Sequence, residues 1–90
     1  MGPQRLTLFV AGPAALRGPL CGRVERACEE LGAERVRLEI VDVRSHPERA
    51  RDEGVRLTPT LQAGEAREGR RVFGDLADAR EALWILGVGA

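Results

Sequence analysis

The chain contains no lysine, and its fourteen basic residues are all arginine, set against fourteen acidic ones for a formal net charge of zero. That balance leaves no overall field to draw in nucleic acid or an anionic membrane. The lysine deficit itself carries no functional weight. Aromatic residues make up only 3% of the chain, too few to interleave with arginines as a base-stacking surface. Two cysteines, Cys21 and Cys28, are too few to staple a secreted mini-protein, and their spacing is not that of a zinc site. A reducing, cytoplasmic setting is therefore expected. No stretch approaches the roughly 20 apolar residues of a membrane-spanning helix, so no membrane partner is expected. Walker loop, dinucleotide fingerprint, metal cluster and catalytic triad are all missing from the sequence, which points to no cofactor and no metal.

What is present fits one domain, because 90 residues can enclose only one core. Residues 5 to 11 read as a buried strand ended by Gly12-Pro13. Gly18-Pro19 opens a helix in which Leu20, Val24, Ala27, Cys28 and Leu31 recur at helical spacing before Gly32 stops it. Val36 to Val43 alternates as a strand and turns apolar on both faces at its end, which predicts a central position in a sheet. Strand, helix and strand in so short a span form a βαβ unit with parallel strands. Ser45-His46-Pro47-Glu48 fits a capping box for a short helix over about 46 to 53, with Gly54 as terminator. Leu57 to Ala63 and Arg70 to Phe73 read as a hairpin. Asp75 is the expected cap of a last helix whose stripe is Leu76, Ala79, Leu83 and Leu86, widened by Ala82 and Ile85. The order β-α-β-α-β-β-α is that of an α/β, thioredoxin-like fold: a mixed four-stranded sheet with three helices.

The ordered motifs Phe9-Val10-Ala11-Gly12, Cys28-Glu29-Glu30, Ile40-Val41-Asp42-Val43, Pro47-Glu48-Arg49-Ala50, Thr58-Pro59-Thr60-Leu61, Arg70-Arg71 and Gly74-Asp75-Leu76 resemble the KaiB family of circadian-clock proteins from about Leu6 to Gly87. The resemblance implies a protein without catalytic activity that docks onto a KaiC-type ATPase, in competition with a related histidine-kinase sensor domain. It also implies fold switching between a thioredoxin-like, partner-binding monomer and a dimeric or tetrameric ground state with a rearranged second half, here roughly Ala50 to Ala90. The region concerned includes Gly64, Gly69, Gly74 and Asp75. Clock members carry prolines where this chain has Gly64-Glu65-Ala66-Arg67-Glu68-Gly69, and Ala14-Ala15 where they have Thr-Pro. A connection with two glycines and no proline can make an ordinary hairpin turn, so the thioredoxin-like form is expected to dominate.

The docking face is expected at the end of the second strand and the helix after it, with Asp42, Val43, Pro47, Ala50, Arg51 and Pro59 as partner-binding residues. Pro59 has two readings, a trans proline in a plain turn or, as the resemblance favours, a cis proline. A competing reading makes the chain a thiol-redox enzyme that uses Cys21, early in the first helix, with Pro59 opposite. Against it, there is no Cys-x-x-Cys, and Cys28 lies about 10 Å along the helix from Cys21, too far to bridge. His46 reads as structural or solvated. Arg67, Arg70 and Arg71 near Phe73 read as an exposed hairpin rather than an RNA surface. Trp84 is either packed on the sheet or part of an apolar docking surface.

Overall fold

The computed structural model describes residues 2–64, 69–74 and 76–88. Its elements are β1 (Gln4–Val10), a one-turn α1 (Pro13–Leu16), α2 (Pro19–Leu31), β2 (Val36–Asp42), α3 (Pro47–Asp52), β3 (Thr60–Ala63), β4 (Arg70–Phe73) and α4 (Ala79–Ile85). The sheet order is β2-β1-β3-β4; β1 and β2 are parallel, and β3 runs antiparallel to both β1 and β4. This is the expected mixed sheet with three helices, plus the single turn of α1, which the Gly12-Pro13 break had concealed.

The two faces of the sheet differ in chemistry. One carries Leu6, Leu8, Val10, Leu61 and Ala63, which form the main core with Val24, Ala27 and Cys28 of α2 and Ala79, Ala82 and Leu83 of α4. Side chains alternate across a strand, so the intervening positions Thr7, Phe9, Thr60 and Gln62 fall on the opposite face. That face is α3's: Arg49 donates to Glu39 on it, and Gln62 on it donates to Glu53. Phe9, with no exposed surface, is its apolar anchor, in register with Val41 on one side and Thr60 on the other.

Several expectations are corrected. β2 is an edge strand, not a central one. Its last residues are apolar or buried on both faces because Val41 lies on the α3 face and Asp42 is turned into a loop clamp, not because strands flank it. Pairing of β3 begins at Thr60 rather than Leu57. Pro59 has no N–H to pair, and the Thr60 hydroxyl donates back to the Leu57 carbonyl at 2.6 Å, closing a bend over residues 57–59. Ser45 does not cap α3. The N-cap is His46, with no side-chain cap bond, because the Ser45 hydroxyl donates instead to the Asp42 carboxylate at 3.2 Å.

The cap of α4 is Asp78, not Asp75. Its carboxylate accepts from the Glu81 amide at 3.0 Å, the spacing that a cap requires, and Asp75 lies outside the described residues. Leu76 is buried but precedes the helix. Ile85 does not widen the buried stripe. It is 54% exposed, and Trp84 beside it is 68% exposed, so neither packs on the sheet.

Candidate functional site

The predicted docking residues fall on and around α3. Pro47 at the first turn satisfies the helix start, and Glu48 in that turn lies 3.4 Å from the imidazole of the exposed His46. At the other end the Gly54 amide donates to the Arg51 carbonyl at 3.1 Å and the Val55 amide to Ala50 at 2.8 Å, so the terminal carbonyls are satisfied without a longer helix. Pro47 and Arg51 are exposed, and Val43, Ala50 and Pro59 are half-buried. The Arg51 guanidinium makes no ion pair or hydrogen bond among the described residues. Five of the six predicted residues thus keep surface that a partner could touch.

Asp42 is different: it is 5% exposed and engaged on every side. Its Oδ1 accepts from the Gly12 amide at 2.8 Å and the Arg44 amide at 2.9 Å, and Oδ2 accepts from Ser45. Asp42 therefore ties the end of β1 to the turn that leads into α3 and holds that turn in place. The two backbone amides, first Gly12 and then Arg44, pull its carboxyl below the usual aspartate range. Glu39 is likewise lowered, chiefly by its hydrogen bonds to Arg49. Both groups bind fewer protons folded than unfolded near their ordinary range around pH 4, so their contribution is present above it and lost as pH falls through the folded values. Thermal melts from pH 7 to pH 2 are expected to show Tm falling below about pH 4. Asp42→Asn, which keeps an acceptor oxygen but has no charge to titrate, should flatten that acid limb, and equal slopes would remove Asp42 as a cause.

Pro59 follows a cis peptide bond, as the resemblance favoured. Its carbonyl accepts from the Gly74 amide at 3.2 Å, which closes the far end of the β3–β4 hairpin, while the Gly64 amide donates to Arg5 at 3.0 Å at the near end. Gly69 is half-buried just before β4, and Asp75 falls outside the described residues, as does the connection 65–68.

The redox reading has weak physical support. Cys21 is 1% exposed, and its thiol donates to the Ala15 carbonyl at 3.3 Å. Burial, and then the charge of Glu25, pushes the thiol upward, opposite to what an attacking thiolate needs. Cys28 is buried in the core, and both cysteines are free.

Sequence reasoning missed the polar row that carries α3. Glu39 on β2, Thr7 on β1, Gln62 on β3 and Arg71 on β4 are register partners, one beside the next across all four strands. Arg49 of α3 forks onto Glu39 with two bonds of 2.9 Å and donates to Glu53 at 3.2 Å. Gln62, fully buried, donates to Glu53 at 3.0 Å and accepts from Arg71 at 2.7 Å. The Arg71 guanidinium also donates to the carbonyls of Glu53 and Gly54, the latter at 3.0 Å. Arg71 is thus turned under α3 rather than outward with Arg70, which is exposed; Arg67 lies outside the described residues. The one available signal was Gln62, a polar residue between Leu61 and Ala63 in a strand.

Among the described residues no helix is long and apolar enough to cross a membrane, and no cluster of His, Cys, Asp or Glu could hold a metal. Thioredoxin-like proteins share the fold. Chloroplastic thioredoxin z superimposes with a TM-score of 0.70 at 23% identity, over 94% of this chain and 76% of that one. The N-terminal domain of SasA from Synechococcus elongatus does so with a TM-score of 0.62 at 20% identity, over 97% and 87%. In sequence, the circadian clock protein KaiB3 of Synechocystis is 28% identical over 78 residues, 87% of this chain and 76% of that protein. The KaiB domain model matches residues 7–88, nearly the whole chain, and with the fold in agreement the chain belongs to the KaiB family.

Proposed function

We propose that this chain is a non-enzymatic docking module that binds a KaiC-type ATPase ring, or a histidine kinase of the same signalling class, through α3 and the segments beside it. The observation that carries the reading is the division of labour on α3. Arg49 and Glu53 are spent holding the helix to the sheet, whereas Pro47, Ala50 and Arg51 keep free surface. A short helix fastened from below and open above is suited to a partner surface, and arginine is enriched at the centres of such contacts. Family membership supports this class of partner.

We also propose that the binding-competent, thioredoxin-like form dominates in solution. The antiparallel pairing of β3 with β4 and the bond from the Gly74 amide to the Pro59 carbonyl across their open end support it. Backbone chemical shifts are expected to report strand at residues 60–63 and 70–73, and helix across 62–70 would overturn it.

The docking reading is tested by binding to a purified KaiC-type ATPase ring, alongside affinity capture from the source cell. Arg51→Glu is expected to weaken ring binding by about tenfold or more, as loss of one central contact does. Cys21→Ser should bind like the wild type. Recovery of neither an ATPase ring nor a histidine kinase, or an Arg51→Glu variant that binds normally, would overturn the assignment. A thiol-dependent activity lost in Cys21→Ser would favour the redox enzyme instead.

A further inference from the structure

We infer that Gln62 and Arg71 are positioning residues for the docking helix: through Glu53 they make the placement of α3 conditional on β4 being paired with β3. The inference rests on the docking reading for its function, but its geometry is independent of any partner. α3 is six residues long, too short to hold its shape unaided, so its position must come from contacts outside it. On the β2 side its start is held by the Asp42 carbonyl, which accepts from the His46 amide at 2.9 Å, and its body by the Arg49–Glu39 pair, whose side chains are 36% and 48% exposed. A pair so wet is a weak tether. On the β3 and β4 side the contacts are drier than that pair. Gln62 has no exposed surface, the Glu53 side chain is 19% exposed, and Arg71 spans three acceptors: the Gln62 amide oxygen and the carbonyls of Glu53 and Gly54.

The last two acceptors matter most. They lie just past the C-terminal end of α3, where backbone carbonyls carry the negative end of the helix dipole, and a guanidinium is the side chain best matched to them. Glu53 closes the circuit, because its carboxylate takes Gln62 on one oxygen and Arg49 on the other. If β4 left β3, Arg71 would depart with it. Gln62 would lose the partner that orients its amide toward Glu53, and the carbonyls of Glu53 and Gly54 would lose their guanidinium donor. The C-terminal end of the helix that carries Ala50 and Arg51 would then be loosened, while its start stays on Asp42 and its body on Glu39. The arrangement of the second half of the chain is in this way transmitted to the docking face, by residues that do not themselves touch the partner.

Amide hydrogen exchange on the intact chain tests this without any ligand. Arg71→Met keeps the apolar stem and removes every donor; it is expected to speed exchange of the Glu53, Gly54 and Val55 amides about tenfold relative to those of α2, since several hydrogen bonds are lost together. Gln62→Leu should act in the same direction, and the double variant should add less than the product of the two. Arg71→Lys retains the charge, on a single donor nitrogen, and should fall between, which keeps the test open if the methionine variant fails to fold. In ring binding, Arg71→Met should lose affinity although Pro47, Ala50 and Arg51 are untouched, and Arg71→Lys should restore part of it. Acceleration no greater in α3 than in α2 would overturn the positioning role. Faster exchange in α3 with undiminished ring binding would overturn its link to docking. If the exchange pattern appears but the wild-type chain binds no ring, the docking assignment falls and the positioning role stands.

Discussion

Phe9→Ala is expected to lower Tm by about 12–40 °C. Removal of a fully buried phenylalanine costs about 3–5 kcal/mol, because the lost transfer energy is joined by the cavity left behind. A domain of this length has about 5–13 kcal/mol in total, and each kcal/mol lost lowers Tm by about 4–8 °C. Phe9 has no exposed surface and occupies the middle of the row Val41, Phe9, Thr60 on the α3 face. That face has few apolar side chains to collapse into the gap, since the neighbouring row is Glu39, Thr7, Gln62 and Arg71. A thermal melt followed by far-ultraviolet circular dichroism measures the loss. A fall in Tm of less than about 5 °C would mean that α3 settles onto the sheet without its anchor.

Gly12→Ala is the second large effect. Gly12 has φ +94° and ψ 163°, a backbone region open essentially to glycine alone, and side chains there cost about 1–3 kcal/mol. The position cannot relax freely, because its amide is the 2.8 Å donor to Asp42 and Pro13 follows with its own φ restricted. An added Cβ would also sit 3.2 Å from the Arg44 guanidinium, but that side chain is exposed and can move aside, so backbone strain dominates. Relief of that strain by backbone rotation would break the bond to Asp42 and loosen the turn that presents α3. A fall in Tm of about 5–20 °C is expected, together with a shallower acid limb in the pH profile as Asp42 loses its strongest hydrogen bond. An unchanged Tm would show that the turn does not need this conformation.

The sequence by itself determined the elements whose signals are local. Leu20 to Leu31 recur at helical spacing between Gly18-Pro19 and Gly32, and α2 runs from Pro19 to Leu31. Leu6 to Val10 is apolar except for Thr7, and β1 is buried on both faces from Leu6 onward. The ordered motifs from Phe9 to Leu76 were enough to indicate the family, and with it the thioredoxin-like topology. Local signals failed where two groups compete for one partner. Ser45 is well placed to cap α3 by spacing alone, yet the Asp42 carboxylate takes its hydroxyl, because β2 ends by turning that carboxylate back toward Gly12. Asp75 and Asp78 both precede the last helix, and the Glu81 amide selects Asp78.

Only the tertiary structure decided what holds the candidate docking face. Glu39, Arg49, Glu53, Gln62 and Arg71 are scattered over thirty-odd positions in a chain rich in arginine and glutamate, and no spacing distinguishes them from solvated surface charges. The sheet brings Glu39, Thr7, Gln62 and Arg71 into one row because strand register, a long-range property, sets which residues are neighbours. The same long-range pairing made β2 an edge, buried Asp42 as a clamp and left Trp84 in water. A pattern along the chain reports which face of an element is apolar. Which charged side chains find each other across that face depends on pairings between strands far apart in sequence.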